Sequence, residues 1–466
     1  MVIQGPGRGF PPAPRPEVSR SLDGELIFYL PASPSPCYLH SRLDPRAQAR
    51  EVVTAAGVSA AETVVVFGVG AGHLPRAALA AAPAGARLFC VVLDPGCFAM
   101  ARKLGALDDL LDHPRLVFLT GDLATIAGAL PRRLDEDLRV VVHAPLLAAT
   151  APALAPLAAM ARELETVQRS RLRQRGVVLA NIESNLPLIL RSEPAAALAS
   201  ALRGKRVLLI GPGPSLDRQL GLIARTAPGK VVVAALDTAL RALAQAAVPV
   251  ELAFTLHPLD GNLAKVEGLR LDFPLVYFEG AHPRIAAASP RPLFACEAGG
   301  LLDRAHPLFG AAGRYASEGT VLLAALEVLD ALAVEQTGLC GIDLALAGEV
   351  SHAGGRRADA GTRLQVPARG GGSVLTTPSL DLHRRRLERW LARKPRRLVD
   401  LTAAGATVAG LEARPLEEWL ADAPAHPATD LRRPDPSRTL GRDFRADQAR
   451  QAARLALEAA TRQAGE

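Results

Sequence analysis

The chain has 466 residues, of which 49% are hydrophobic and 22% are charged. These fractions are typical of globular proteins and exclude a collagen-like or wholly disordered chain, and the length predicts two or three domains. The formal net charge is +7, from 54 basic and 47 acidic residues, and no segment concentrates it. Such a small, dispersed excess permits a phosphate-bearing ligand and does not indicate a nucleic-acid partner.

Cysteine usage and the amino-terminal sequence indicate a cytoplasmic protein. The five cysteines show no CxxC spacing, so we expect free thiols in a reducing compartment. The opening MVIQGPGRGF lacks the apolar core of a secretory signal. The longest charge-free run, 144–161, contains three prolines and is mostly alanine, so we expect no membrane span.

The first part of the chain alternates apolar strands with helices after a proline-rich opening. Strands are predicted at 62–70, 86–94, 115–122 and 138–145. Continuous apolar strands separated by helices indicate a parallel sheet covered on both faces. We therefore assign 1–160 to a Rossmann-like, doubly wound α/β domain. Linking helices are predicted over 161–203, with a break at Ser192–Pro194.

The alternation then starts again and predicts a second doubly wound domain over 204–380. Its apolar strands are predicted at 205–211, 230–236, 251–257, 274–280, 292–298 and 337–346. From about Leu380 the pattern becomes helical, so 381–466 is predicted as a helical carboxyl-terminal region. This region contains a proline-rich, charged linker at 423–443 and a final amphipathic stretch that begins at 444.

The motif GPGPSLD, at 211–217, lies directly after a predicted strand and opens a helix. Gly211 and Gly213 allow the backbone to approach a ligand closely, and Ser215 is a plausible helix N-cap. The helix amino terminus would then bind phosphate. Asp237 ends the next strand, where mononucleotide-binding folds place an acidic residue on the ribose. The structural alternative is a tight strand-to-helix turn with a good cap.

Four further segments are weaker candidates. GVGAGHL at 68–74, with Asp94 after the next strand, has similar spacing, and its loop either binds a nucleotide or has kept the fold without the ligand. His352 lies in a loop after a strand with Asp343 upstream, where a histidine can serve as general base. Asp260 is a candidate for substrate or cation contact, or caps the next helix. Arg384, Arg385, Arg386 and Arg389 form a basic helical face that is more typical of a solvated surface.

The order of the motifs resembles a known family. GPGPSLD, VVVAALDTALRALAQAAVPVELAFTLHP, EGTVLLAALEVLDAL, GIDLALAGEVSHAGG and LVDLTAAGATVAGL occur in the order found in the Maf motility-associated flagellin glycosyltransferases and in the MptE-like 6-hydroxymethylpterin diphosphokinase domain that they share. The resemblance covers about 170–420, and RQRGVVLANIESNLPLIL is similar to the segment that precedes the central Maf domain. The three-part layout also agrees.

The resemblance implies a function and a set of roles. The chain would transfer a nonulosonic acid, of the pseudaminic or legionaminic type, from a CMP-sugar to Ser or Thr hydroxyls of flagellin, with a central domain similar to bacterial sialyltransferases. Gly211, Gly213, Ser215 and Asp217 would lie near the donor phosphate, and Asp237 and Thr238 near the nucleotide. Asp343 and His352 would line the transfer site, with His352 as the base. Asp260 and Thr320 are further candidate donor contacts.

The sequence departs from the family pattern at three positions, and two other functions stay open. His257 stands where relatives often have Asp, Ile342 where Gln is common, and Thr320 where Ser is common. A pterin or other nucleotide diphosphokinase would need Mg²⁺, for which Asp217, Asp237, Asp260 and Asp343 are the candidate ligands. The third alternative is a flagellin-binding module without turnover. No cofactor beyond the CMP-sugar is firmly indicated.

Overall fold

A computed structural model gives the fold. It describes residues 2–4, 16–31, 36–122, 125–126, 129–130, 138–300, 302–303, 313–358, 363–394, 398–424 and 431. The chain divides into two compact units between Arg173 and Gln174. Most of the predicted linker at 423–443 and all of the predicted amphipathic stretch from 444 lie outside the described residues.

The first unit is built around a parallel sheet, as its apolar strands predict. Its described strands are β1 (Val2–Gln4), β2 (Glu17–Arg20), β3 (Leu26–Leu30), β4 (Cys37–Tyr38), β5 (Thr63–Phe67), β6 (Arg87–Val91), β7 (Leu116–Thr120) and β8 (Leu138–Val142). Its described helices are α1 (Pro45–Ala55), α2 (His73–Ala81), α3 (Pro95–Lys103), α4 (Asp108–Leu111) and α5 (Ala144–Ala148). The main sheet has the order β1-β7-β6-β5-β8, and β2, β3 and β4 form a small antiparallel sheet.

A long helix, α6 (Ala155–Arg191), contains the boundary between the units. It continues through Pro187 and ends directly before the predicted break at Ser192. The predicted linking helices are thus largely one continuous helix.

The second unit contains a larger parallel sheet. Its described strands are β9 (Glu193–Pro194), β10 (Arg206–Ile210), β11 (Val232–Leu236), β12 (Leu252–Thr255), β13 (Leu275–Phe278), β14 (Pro292–Glu297), β15 (Arg314–Tyr315), β16 (Gln336–Cys340), β17 (Val350–His352), β18 (Arg356–Arg357), β19 (Leu364–Pro367), β20 (Ser373–Thr376), β21 (Leu398–Asp400) and β22 (Glu412–Ala413). Its described helices are α7 (Ala199–Leu202), α8 (Leu220–Thr226), α9 (Leu240–Gln245), α10 (Pro283–Ala286), α11 (Val321–Ala331), α12 (Pro378–Arg393) and α13 (Leu416–Ala421).

The large sheet has the order β15-β14-β13-β12-β11-β10-β16-β21-β22, and β9 also pairs with β14. Alternate residues of β10 point to opposite faces: Val207 and Leu209 pack in one apolar core, and Leu208 and Ile210 in the other. The sheet is therefore covered on both faces, which confirms the predicted doubly wound α/β fold.

The residues after Leu380 are not all helical. The helix α12 begins at Pro378, close to the predicted position, but β21 and β22 then add two parallel strands to the large sheet. The apolar run LVDL at 398–401 is short and buried, which suits a strand beside β16 better than a helix. The predicted strand at 337–346 also ends early, at Cys340, because Gly341 turns the backbone with a φ of 66°.

The topology fixes where a ligand site is expected in the second unit. From β10 the strands are added in one direction through β11 to β14, whereas β16 lies on the other side of β10. Open α/β sheets bind ligands at the carboxyl ends of the strands near such a reversal. Among the described residues, no helix is long and apolar enough to cross a membrane.

Candidate functional site

The GPGPSLD turn follows β10 and is packed against the turn that follows β16. The N–H groups of Gly211 and Gly213 donate to the carbonyl oxygens of Cys340 (2.8 Å) and Gly341 (2.7 Å). A Cβ on Gly213 would overlap the Asp343 carboxylate and would lie 2.6 Å from the Gly341 oxygen. The glycines therefore permit close packing of two turns of the chain. Their predicted role beside a donor phosphate gains no support from this geometry.

Ser215 is bonded to Asp343 and does not cap a helix, so the predicted N-cap role is wrong. Its N–H donates to one carboxylate oxygen of Asp343 (2.8 Å), and its hydroxyl donates to the other (2.7 Å). The turn continues as a short 3₁₀ helix, Pro214–Arg218, before α8. Asp343 is 3% exposed, and burial raises its pKa to about 6 although both Ser215 bonds act in the opposite direction. Asp343 thus holds two turns together.

Asp217 connects the same turn to the hairpin that carries His352. Both carboxylate oxygens of Asp217 accept from the N–H of Gly354, at 3.1 Å each. The N–H of Ala353 donates to the carbonyl of Pro212 at 2.7 Å. Asp217 and Asp343 therefore organise loops, and among the described residues no hydrogen bond joins Asp343 to His352.

The side chain of His352 forms one hydrogen bond within the described part of the chain, through Nδ1. Nδ1 lies 2.8 Å from the hydroxyl of Ser351, which also lies 3.3 Å from the carbonyl of Arg356. Nε2 presents a lone pair in the tautomer in which the hydroxyl donates to Arg356 and Nδ1 carries the ring proton. Burial, with the charges of Arg356 and Lys265, lowers the pKa of His352 to about 4. The ring is therefore neutral at physiological pH.

Several basic side chains of the second unit act on one another electrostatically. We call them the cationic cluster: His257, Lys265, His352, Arg356 and His383. Burial is the main cause of the lowered pKa at His257, Lys265 and His383, and positive neighbours lower each of them further. Lys265 acts on both His257 and His352, and His257 acts on His383, so the charges belong to one neighbourhood. The positive charges of this neighbourhood are those of Lys265 and Arg356, and these two cations are the groups that would attract an anionic ligand.

Asp237 lies under the cationic cluster and not on its surface. It follows β11 directly, is fully buried, and accepts a hydrogen bond from the Thr255 hydroxyl at 2.8 Å. Its other oxygen, Oδ1, has no hydrogen-bond partner among the described residues. Its negative charge raises the pKa of His257 and Lys265, against the effect of burial. Thr238 follows it and is half-buried.

Two glutamates outside the predicted motifs also lie at strand ends on this edge. Glu279 directly follows β13 and accepts from the backbone N–H of Glu297, the last residue of β14, at 2.8 Å. Burial and the charge of Glu297 raise the pKa of Glu279 to about 8. Glu297 accepts from the Ser317 hydroxyl and acts on the pKa of His257. The sequence signal was a glutamate directly after an apolar run, in YFEG and FACEAGG.

Two asparagines of α6 hold the loops of the site. The side-chain NH₂ of Asn181 donates to the carbonyls of Pro258 (2.9 Å) and Gly280 (3.1 Å). Asn185, one turn later, donates to the carbonyls of Glu279 (3.0 Å) and Ala281 (2.8 Å). The spacing i, i+4 puts both amides on one face of the helix. They fix the segments that follow β12 and β13.

Asp260 and Thr320 have ordinary structural partners. Asp260 is exposed and accepts from Nε2 of His282 (2.9 Å), so it does not cap its 3₁₀ helix. The Thr320 hydroxyl caps α11 by accepting from the N–H of Leu323 (3.0 Å). Their predicted donor contacts stay predictions.

The basic face of α12 is largely neutralised within the second unit. Arg384 binds Asp381 and Glu388, Arg385 also binds Asp381, and Arg386 donates to the carbonyl of Glu318. Arg385 and Arg389 are exposed, but Arg386 is buried and Arg384 is half-buried, so the predicted solvated surface is found only in part.

The four aspartates proposed as ligands of Mg²⁺ do not converge. Asp343 binds Ser215, Asp217 binds Gly354, Asp237 binds Thr255, and Asp260 binds His282. In the part of the chain that the structure describes, no group of three or more His, Cys, Asp or Glu side chains is placed to hold a metal ion. This donor set does not fit a magnesium-diphosphate centre.

The glycine loop of the first unit is filled by histidines. A Cβ on Gly70 would overlap the His40 ring, and one on Gly68 would lie 2.8 Å from Cβ of His143. The N–H of Ala71 donates to Nε2 of His40 (3.2 Å), and Nδ1 of His40 lies 3.1 Å from Nε2 of His143. Asp94 caps α3 through the N–H of Cys97. His40 and His143 thus occupy the space beside Gly70 and Gly68.

Comparison with known proteins identifies the central region. Residues 180–349 match the family model of 6-hydroxymethylpterin diphosphokinase MptE-like domains. The chain contains an MptE-like domain. The resemblance expected for this domain is thereby confirmed. The matched segment, 180–349, includes β10 to β16 and the GPGPSLD turn. It also includes Asn181, Asn185 and all of the site's strand ends up to Asp343.

Solved structures include distant likenesses to the whole chain. The structure of a Maf glycosyltransferase from Magnetospirillum magneticum AMB-1 matches with 15% identity and a TM-score of 0.48, over 95% of this chain and 74% of that one. No curated protein sequence gives a significant match.

Proposed function

We propose that the chain is a glycosyltransferase that moves a nonulosonic acid from a CMP-activated donor to Ser or Thr hydroxyls of flagellin. The order of its motifs, which resembles that of the Maf family, supports the choice of reaction. The observation that carries the proposal is the cationic cluster at the carboxyl edge of the MptE-like sheet. It combines Lys265 and Arg356 with three histidines, and the described residues beside it include no carboxylate set suited to Mg²⁺.

The cluster suits the charge that develops in this reaction. When the bond between the sugar C2 and the phosphate oxygen breaks, CMP leaves with the electron pair and its phosphate gains a negative charge. The half-buried Lys265 and the exposed Arg356 would stabilise that charge electrostatically, and a half-buried cation acts more strongly than a solvated one. The buried Asp237 offsets part of the positive charge and so limits the mutual repulsion of the cluster before the donor binds.

His352 is the proposed base. The attacking hydroxyl oxygen bonds to C2, and its proton passes to the free Nε2 of His352. With a pKa of about 4 the unliganded imidazole is a weak base. A phosphate bound beside Lys265 and Arg356 neutralises the two charges that help to lower this pKa. Donor binding would therefore relieve the electrostatic part of the lowering, whereas burial, its main cause, stays.

The diphosphokinase alternative draws on the description of the matching family model. Transfer of a diphosphate requires a divalent cation between the donor phosphates and the protein. The candidate aspartates Asp217, Asp237, Asp260 and Asp343 are each engaged elsewhere, as described above. We therefore favour the glycosyltransferase and keep the kinase as an outcome of the test.

Ligand stabilisation of the purified chain distinguishes these functions. CMP, CTP, ATP and 6-hydroxymethylpterin are compared with and without Mg²⁺ in thermal unfolding. A ligand at 100 times its Kd adds about 2.7 kcal/mol to the free energy of unfolding. We expect stabilisation by CMP without a cation requirement, followed by incorporation of sugar into flagellin in a mass-spectrometric assay with CMP-pseudaminic and CMP-legionaminic acid. Stabilisation only by ATP, Mg²⁺ and pterin would favour the kinase, and binding without transfer would favour a flagellin-binding module.

A substitution in the cationic cluster tests the site itself. Lys265→Met keeps the length of the side chain and removes its charge, so we expect CMP affinity to fall about tenfold, or about 1.4 kcal/mol. Lys230→Met is the matched control, because Lys230 lies before the amino end of β11 and donates to the carbonyl of Leu420. Equal CMP affinity in both variants would mean that the phosphate binds at another place in the chain.

A further inference from the structure

The hairpin that carries His352 is attached to the GPGPSLD turn at two points. Its two strands, β17 and β18, are joined by a turn at 353–355, in which Gly354 and Gly355 have φ values of 74° and 79°. The first attachment is the bond from the Ala353 N–H to the Pro212 carbonyl. The second is the N–H of Gly354, which both oxygens of Asp217 accept at 3.1 Å. Only the second attachment depends on a side chain.

We infer that Asp217 is a positioning residue, whose carboxylate fastens the turn after His352 to the GPGPSLD turn and thereby sets where the imidazole lies. The carboxylate is exposed, yet it is oriented toward a backbone N–H of the opposite turn. Gly354 follows His352 by only two residues, so a shift of this turn moves the ring. The predicted alternative, contact with the donor phosphate, is disfavoured because a carboxylate repels a phosphate.

The attachment also connects the hairpin to the rigid part of the sheet. The GPGPSLD turn is itself held by the N–H bonds of Gly211 and Gly213 and by the Ser215–Asp343 pair. Because the hairpin is bonded to this turn, the position of His352 is set relative to a segment that is itself held by hydrogen bonds. A second hydrogen bond near a loop end reduces the number of conformations that the loop samples. The consequence for transfer rests on the function proposed above, whereas the attachment itself does not.

Two substitutions separate the hydrogen bond from the charge. Asp217→Ala removes both acceptors, while Asp217→Asn keeps one oxygen that accepts from Gly354 and removes the charge. The first readout is the titration of the His352 imidazole by NMR in the absence of any ligand. We expect Asp217→Ala to bring the His352 titration midpoint closer to the ordinary value, because the released ring is better solvated, and Asp217→Asn to stay close to the parent protein.

The second readout is sugar transfer to flagellin. We expect Asp217→Ala to lower kcat about tenfold with little change in the KM for the donor, and Asp217→Asn to recover most of the loss. Asp422→Ala, which removes an exposed carboxylate bonded to Arg414, is the control for surface charge. Tryptophan fluorescence melting should be the same for all three variants within about 0.5 kcal/mol.

The outcomes separate failure of this inference from failure of the proposed function. An unchanged His352 titration in Asp217→Ala would overturn the positioning role, whatever the activity. A shifted titration with unchanged transfer would keep the attachment and remove His352 as the base. If Asp217→Asn is as damaging as Asp217→Ala in both readouts, the carboxylate acts through its charge and the inference is wrong.

Discussion

The two units use glycine-rich turns at the same place, after a buried strand of a parallel sheet, but fill them differently. In the first unit the turn at 68–72 has three glycines with positive φ and closes around the imidazoles of His40 and His143. In the second unit Gly211 and Gly213 have ordinary φ values and lie against the backbone of Gly341 and the carboxylate of Asp343. In each turn the glycines allow other parts of the same chain to approach the backbone closely. A glycine-rich turn is therefore no proof of an open phosphate site.

The difference between the turns is one of chemistry as well as shape. Neutral imidazoles hold the first turn, whereas a buried carboxylate bonded to Ser215 holds the second. Burial lowers the pKa of His143 and raises that of Asp343. Folding therefore disfavours a proton on His143 and favours one on Asp343. Stability measurements can therefore separate the turns.

The largest effect is expected from Gly213→Ala. The added methyl group would overlap the Asp343 carboxylate and crowd the Gly341 carbonyl at 2.6 Å, and neither can move without breaking hydrogen bonds. We expect the free energy of unfolding to fall by about 3 kcal/mol or more. Chemical unfolding followed by tryptophan fluorescence measures it, since Trp390 and Trp419 both lie in the second unit.

Gly221→Ala is the control for that substitution. Gly221 lies in α8, and its added methyl would meet only the flexible end of Arg225 at 3.3 Å. Alanine has the higher helix propensity, so the variant should be as stable as the parent or more stable by up to about 1 kcal/mol. Comparable losses in both variants would show that the turn is less tightly packed than described.

The next largest effect is expected when the pH is lowered, because acid reduces the stability of the first unit. Burial lowers the pKa of His143 to about 4, from an ordinary value of 6.5. The unfolded chain therefore binds the proton more readily than the folded chain. The contribution of the neutral His143 to the free energy of unfolding is complete above about pH 6.5 and is lost as the pH falls toward 4. It amounts to about 3 kcal/mol for His143.

Circular dichroism melting as a function of pH tests this contribution. His143→Asn retains an acceptor for the Leu146 N–H, to which Nδ1 of His143 is bonded. We expect the variant to lose less stability than the parent between pH 6.5 and 4. Parallel pH profiles for the two proteins would contradict the assignment.

The smallest effect is expected from Ser215→Ala. The substitution removes the hydroxyl bond to Asp343 but leaves the backbone N–H bond at 2.8 Å. A buried carboxylate oxygen then lacks a partner, which costs about 2 kcal/mol. The pKa of Asp343 should also increase, since the Ser215 hydroxyl lowers it in the parent. Tryptophan-detected unfolding measures the loss, and an unchanged midpoint would mean that water replaces the hydroxyl.

Most of the fold could be predicted from the sequence, because buried parallel strands are continuous apolar runs. The strands around Val64, Leu88, Val207 and Val232 lie where their patterns place them. The strand β21 was not predicted, because a three-residue run at the edge of a helical region gives too short a signal. Tertiary pairing with β16 decides its conformation.

The site could be predicted only in part. Local spacing located the turns that contain Asp217, Asp237, Asp343 and His352, since these follow strands. It could not show that Asp343 faces Ser215, which is 128 residues away, nor that Lys265 and His352 share one neighbourhood. Those relations depend on the order of strands in the sheet. Asn181 and Asn185 looked like ordinary helix positions for the same reason.

The asparagine pair of α6 bears on how this domain should be delimited. The family match begins at residue 180, in the middle of a helix, and Asn181 is the next residue. A protein fragment cut at the first strand of the large sheet would keep β10 to β16 but lose both amides that hold the loops after β12 and β13. One residue inserted between Asn181 and Asn185 would rotate the second amide by about 100° around the helix. The family match and these hydrogen bonds therefore both include a part of the helix that lies about 25 residues before β10 begins.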